Sequence, residues 1–236
     1  MNSLPHNIGL SGPSEEKTIS IILADDHPLL REALKHVLER ESDFRVIGEA
    51  GDGEEAVRLA TELVPDVVIM DISMPKINGI EATRCIKERF PRIAVLALTI
   101  YDDIEHLLGI IEAGAAGYLT KAVFGENVIH AVRGVIAGEA VLPQASLRQI
   151  IGNTTWKAST PSYTEAGEKI KSRELEILRL TARGMSNKEI AEALGISLRT
   201  VKGYLQSIFC KLNVASRTEA IFICLNYNIL TLDDFK

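Results

Sequence analysis

The chain is short of sulfur and has no long apolar run. Its 236 residues include three cysteines, Cys85, Cys210 and Cys224, none in the CxxC spacing of a zinc or dithiol site. An odd, scattered set excludes a disulfide framework and is expected of a reducing cytoplasm, the thiols serving as small buried hydrophobes. No apolar run approaches the ~18 residues needed to span a bilayer. The opening MNSLPHNIGLSGPSEEK lacks the basic start and apolar stretch of a secretion signal. Residues 1–17 are expected to form a flexible tail. His27, His106 and His130 have no metal-like partners and are expected to be structural. There is no internal repeat and no low-complexity tract.

A hydrophobic content of 46% suits ordinary globular cores, and the length suits two of them. The net charge of −6 hides an asymmetry. From Glu168 onward there are eleven Lys/Arg against eight Asp/Glu, a balance of +3, which leaves −9 for the front. An acidic front and a basic back suggest separate tasks, with nucleic acid a partner for the back.

The front alternates short apolar runs with helical periods. Strands are expected at Ile19–Ala24, Arg45–Ala50, Asp66–Asp71, Ile93–Thr99 and Ala116–Thr120. Helices are expected at Leu29–Arg40, Gly53–Leu63, Ile80–Arg89, Asp103–Gly114 and Glu126–Gly138. Five βα units in succession imply an α/β doubly wound, five-stranded parallel sheet of flavodoxin-like form. The common order for such a sheet is 2-1-3-4-5, with the site at the carboxyl ends between strands 1 and 3.

The run VVIMDISMPKING, Val67–Gly79, drives an apolar strand into a charge at Asp71. The predicted topology explains it. Asp71 ends strand 3, Asp25 and Asp26 end strand 1, Thr99 ends strand 4 and Lys121 follows strand 5, so all five converge on one rim. Three aspartates together need a cation, and oxygen ligands facing a phosphate favour Mg²⁺. Lys121 can hold a phosphoryl oxygen as a point charge, and Asp71 can be a nucleophile that forms an aspartyl phosphate. An aspartyl-phosphate phosphatase is a second class. Such enzymes commonly need a carboxylate two residues after the nucleophile, where this chain has Ser73.

The segments LADDHP, VVIMDISMPKING, LALT and GYLTK resemble the receiver domain of two-component response regulators of the NarL/FixJ family. The resemblance implies that Asp71 accepts phosphate from a sensor histidine kinase, so that phosphorylation controls sequence-specific DNA binding and transcription. It implies Mg²⁺ ligation by Asp25, Asp26, Asp71 and the Ser73 backbone carbonyl, phosphoryl binding by Thr99 and Lys121, and a switch formed by Thr99 and Tyr118. Pro75 and Gly79 match the supporting loop. Ala122 follows Lys121 where the family often has proline, which leaves the geometry of that peptide open.

Residues 142–167 are rich in Ser, Thr, Gly and Pro and read as a linker, with a short helix at Gln144–Ile151. Beyond it, Ser172–Gly184, Asn187–Gly195, Leu198–Leu212 and Arg217–Tyr227 read as a small all-α domain. The domain limits expected are 1–17, 18–141, 142–167 and 168–236. In LRTVKGYLQSIFCKL, Val201, Leu205, Ile208 and Leu212 share a core face. Arg199, Lys202, Gly203 and Gln206 share the opposite one, which suits a major groove. SNKEIAEALGIS, TVK and KLNVASRTEA resemble the LuxR-type helix-turn-helix. That resemblance implies base contacts by Lys202, Gly203 and Gln206, phosphate contacts by Lys188, Thr200 and Lys211, and a final helix (Ile221, Phe222, Leu225) that forms a homodimer once the chain is phosphorylated. Lys171 replaces the usual capping threonine, so the capping box with Glu174 is expected to be lost and Ser172 to cap instead.

Overall fold

The computed structural model describes residues 18–99, 104–121, 126–137, 170–227 and 229–235. The expected tail, the linker with its short helix, and the Lys121–Ala122 peptide lie outside them.

Five strands, β1 (Ile19–Ala24), β2 (Phe44–Ala50), β3 (Val67–Asp71), β4 (Ala94–Thr99) and β5 (Gly117–Thr120), form one parallel sheet in the order β2-β1-β3-β4-β5. The central strands are mostly apolar because both faces are covered, with Asp71 and Thr99 only at the carboxyl ends of β3 and β4. Ile21, Leu23, Ile69, Leu96 and Leu98 point toward α1 (Pro28–Leu38) and α5 (Glu126–Ile136), packing on Leu34, Leu38, Val128 and Val132. Ile22, Val68, Met70 and Val95 point the other way. They meet Ala56 and Ala60 of α2 (Gly53–Leu63) and Ala82 and Ile86 of α3 (Gly79–Arg89). On that second face α4 (Ile104–Glu112) brings Leu107, Ile110 and Ile111 onto Ala97 and Tyr118.

The C-terminal unit has four α-helices among the described residues: α6 (Ser172–Ala182), α7 (Asn187–Leu194), α8 (Leu198–Leu212) and α9 (Arg217–Asn226), followed by a 3-10 turn at Leu232–Phe235. Its core is Ile177, Leu178, Ile190, Val201, Leu205, Ile208, Leu212, Ile221 and Cys224. Ser186, Ser197 and Ser216 each accept a backbone N–H at the start of a helix, and Gly195 ends α7 at φ 62°. The α6 start differs from expectation. Lys171, not Ser172, is the N-cap, and its ammonium has no acceptor to offer. Glu174 still accepts the Lys171 N–H at 2.8 Å, so this half of the box survives. No helix among the described residues is long and apolar enough to cross a membrane.

Candidate functional site

The carboxyl ends of β1 and β3 place Asp25 and Asp71 side by side, each about 1% exposed. Asp26, one residue past Asp25, stays partly open to solvent. One ligand atom from each of Asp25, Asp26, His27 and Asp71 lies within 4.8 Å of the others. Lys121, just after β5, reaches across with Nζ 2.8 Å from Asp25 Oδ2 and 2.7 Å from Asp71 Oδ2. Those two oxygens and Asp26 Oδ1, which His27 Nδ1 approaches to 2.6 Å, are buried, and a single side-chain nitrogen, two of the three supplied by the one Lys121 ammonium, faces each of them. Carboxylates crowded together in burial with so few donors are costly. Three of them turned to one point are the hard donor set that suits Mg²⁺.

The electrostatics agree. Burial raises the Asp71 carboxyl above its ordinary range; Lys121 opposes this and the charge of Asp25 adds to it. For Lys121, burial works to lower the ammonium, but hydrogen bonds to Asp25 and Asp71 outweigh it and the net shift is upward. Thr99 is buried at the end of β4, and its carbonyl accepts the Lys121 N–H at 2.7 Å. Ser73 N–H donates to Asp71 Oδ1 at 3.2 Å. Tyr118 is buried with Ile72, Ala97 and Leu107. Gly79 shows why the loop needs glycine. A Cβ there would lie 2.0 Å from the Asp71 carbonyl oxygen, while its N–H donates to Ile72 O at 2.9 Å.

On α8, Val201, Leu205, Ile208 and Leu212 are buried, and Arg199, Thr200, Lys202, Gly203 and Gln206 are exposed, as is Lys188 on α7. A Cβ on Gly203 would meet no atom within 4 Å. No internal packing demands glycine there. Lys211 is different: it is half-buried, 2.6 Å from Oε2 of buried Glu174.

Two family models match this chain. One, for the response regulator receiver domain, covers residues 21–133, and one, for bacterial regulatory proteins of the luxR family, covers residues 170–224. The transcriptional regulatory protein DegU of Brevibacillus brevis is 38% identical, with 87% of this chain and 92% of DegU covered. The chain belongs to the NarL/FixJ family of response regulators.

Solved structures agree with that membership. A LuxR-family response regulator from Aurantimonas sp. is 36% identical at a TM-score of 0.53, covering 56% of this chain and 95% of that one. RcsB of Salmonella typhimurium is 25% identical at 0.52, covering 88% and 98%.

Several side chains of this response regulator stand elsewhere than expected. His27 is not remote from a metal-type cluster. Its Nδ1 is 2.6 Å from Asp26 Oδ1 and 3.2 Å from Asp25 Oδ1, with His27 at the N-cap of α1 directly after the aspartate pair. Arg31 was not foreseen. It donates to the Asp25 carbonyl at 2.5 Å from the first turn of α1, a contact that no local sequence pattern marks. Arg217 is buried and braces Met185 O and Asn187 Oδ1, each at 2.6 Å. Cys224 is a buried hydrophobe whose thiol burial pushes up to about 12, but Cys210 is exposed and Cys85 only partly covered. In α9, Ile221 belongs to the helical core, whereas Phe222 packs against the Tyr118 cluster of the receiver.

Proposed function

We propose that this response regulator is a phosphoacceptor switch whose receiver (residues 18–141) controls a DNA-binding domain (168–236) through a linker (142–167). The convergence of Asp25, Asp26, Asp71 and Lys121 carries the reading. An ionised Asp71 oxygen attacks the phosphorus of a phosphohistidine on a sensor kinase, forming an O–P bond as the N–P bond breaks. Asp25, Asp26, Asp71 and the Ser73 carbonyl would hold Mg²⁺, which when bound would supply charge neutralisation for the phosphoryl group. Lys121 and Thr99 hold phosphoryl oxygens. The chain accepts and transmits the group and is not an enzyme with a substrate of its own; Ser73 in place of a second carboxylate supports this.

The added charge of about −1.5 to −2 acts only by favouring one conformation. Thr99 moving toward it and Tyr118 turning further inward are the proposed switch. The response is DNA binding by a homodimer through α9, in the cytoplasm. Lys202, Gly203 and Gln206 face bases, Arg199 stands on the same DNA-binding face of α8, and Lys188, Thr200 and Lys211 face phosphates. For Lys211 this needs a pivot about its pairing with Glu174. In the docked form, Lys202 and Gln206 line a cleft whose other wall is Ile136 at the end of α5 and Ala137 just past it. A duplex cannot enter there, so the unphosphorylated receiver blocks reading. Acetyl phosphate with Mg²⁺ is expected to label the wild type and not Asp71→Asn, and to tighten DNA binding. If no donor labels Asp71, the chain is a constitutive DNA binder.

A further inference from the structure

We infer that Lys87 of α3 and Glu219 of α9 are an ionic latch that holds the DNA-binding domain on the receiver, with Phe222 as the apolar pin beside it. The inference rests on the switch reading above and names the contact that sets its resting state. Lys87 Nζ lies 2.8 Å from Glu219 Oε2, and the two side chains are 9% and 6% exposed. Each partner is shaped in advance by its own domain. The Lys87 ammonium donates to Pro91 O at 2.5 Å and Ile93 O at 3.0 Å, two neutral acceptors that orient it but leave its charge unbalanced. The Lys87 stem is pinned as well: a Cβ on Gly114 would sit 3.1 Å from Lys87 Cγ. Glu219 is fixed by Ser216 Oγ, which donates to Oε1 at 3.0 Å, and by its own N–H to Ser216.

Neither charge has reason to be buried in a domain standing alone. Both are buried in a pair that joins the two domains. Next to them, Phe222 packs on the cluster of Ile72, Leu107, Ile110 and Tyr118, so the apolar part of the contact touches the proposed switch. A buried ion pair contributes little net energy, since both charges regain water when it opens, yet removing one partner strands the other. That combination lets a modest push from Tyr118 open the contact while keeping the closed arrangement specific. While it is closed, the Phe222 side of α9 is unavailable to a second copy.

The test uses the full chain, unphosphorylated, with Lys87→Met and Glu219→Gln. The glutamine keeps an acceptor for Ser216, so α9 stays capped, and this variant carries the test alone if Lys87→Met fails to fold. Each is expected to enlarge the radius of gyration in small-angle X-ray scattering and to tighten binding to a random-sequence duplex by about tenfold or more, one partner of a buried pair having been lost. The double variant is expected to go no further than either single one, because both remove the same contact. Wild-type scattering and affinity in folded single variants would overturn the latch, as would additive effects. Acetyl phosphate labelling separates this from the switch reading. Labelled wild type with unchanged variants removes only the latch; unlabelled wild type with expanded variants removes only the switch.

Discussion

Asp71 is buried beside Asp25, and the raised carboxyl that results has a consequence for stability. A carboxyl raised in the folded state holds its proton more tightly there than in the unfolded chain. Ionising it therefore penalises folding at every pH above the unfolded value of about 3.9, most fully above the raised folded value. Asp71→Asn removes the penalty. Without divalent metal, its melting temperature at pH 7 is expected to exceed wild type, and the gap to shrink as the pH falls toward 4. Adding Mg²⁺ should narrow the gap too, since ligand binding favours the wild-type fold. Equal calorimetric melts at both pH values would oppose this account. Gly79→Ala is expected to cost about 3 kcal/mol in denaturant melts and to slow Asp71 labelling, because its Cβ must displace the Asp71 carbonyl. The aspartates, Thr99 and Lys121 were legible in sequence because each ends its own strand. His27 and Arg31 were not, since the direction in which α1 leaves β1 decides what they touch.

For α8, the 3.6-residue period identified Val201, Leu205, Ile208 and Leu212 as the inward face, and all four are buried. Exposed positions were equally readable. Lys211 was not, because its partner Glu174 lies 37 residues away on α6 and no local pattern joins them. Lys211→Ala is expected to lose about 2–3 kcal/mol of thermal stability by leaving the buried Glu174 carboxylate without its counter-ion, below the upper range for a dry pair because Lys211 is partly solvated and the Lys171 N–H and Ser207 Oγ still donate to Glu174. Lys202→Ala, at an exposed site, is expected to leave the melt within about 0.5 kcal/mol while weakening DNA binding. Titration across salt concentrations distinguishes the roles: losing a phosphate contact lowers the slope by about 1, whereas losing a base contact relaxes sequence preference. The α6 cap shows the same limit from the other side. Sequence marked a lost threonine, but Glu174 kept its bond to the Lys171 N–H because the helix start did not move.

Across the whole molecule, the two domains meet through Lys87–Glu219, through Phe222 on the Tyr118 cluster, and through Ala215 on the core beneath α1 and α5. Buried contacts of this kind are weakly screened by salt, whereas phosphate contacts are strongly screened. Raising salt from about 0.1 to 0.5 M is expected to leave the scattering radius of the unphosphorylated protein unchanged while DNA binding falls steeply, the Debye length having shrunk below ~10 Å. Expansion with salt would mean that surface charge holds the domains together.

Sequence by itself determined the parallel sheet, its strand order, the acidic rim and the two faces of α8. Each follows from a short-range period or from chemistry at a strand end. Tertiary structure alone decided the pairing of Lys211 with Glu174, the folding of His27 over Asp26, and the meeting of Lys87 with Glu219. Those depend on how separately folded surfaces come together, and a carboxylate records in sequence its charge but not its partner.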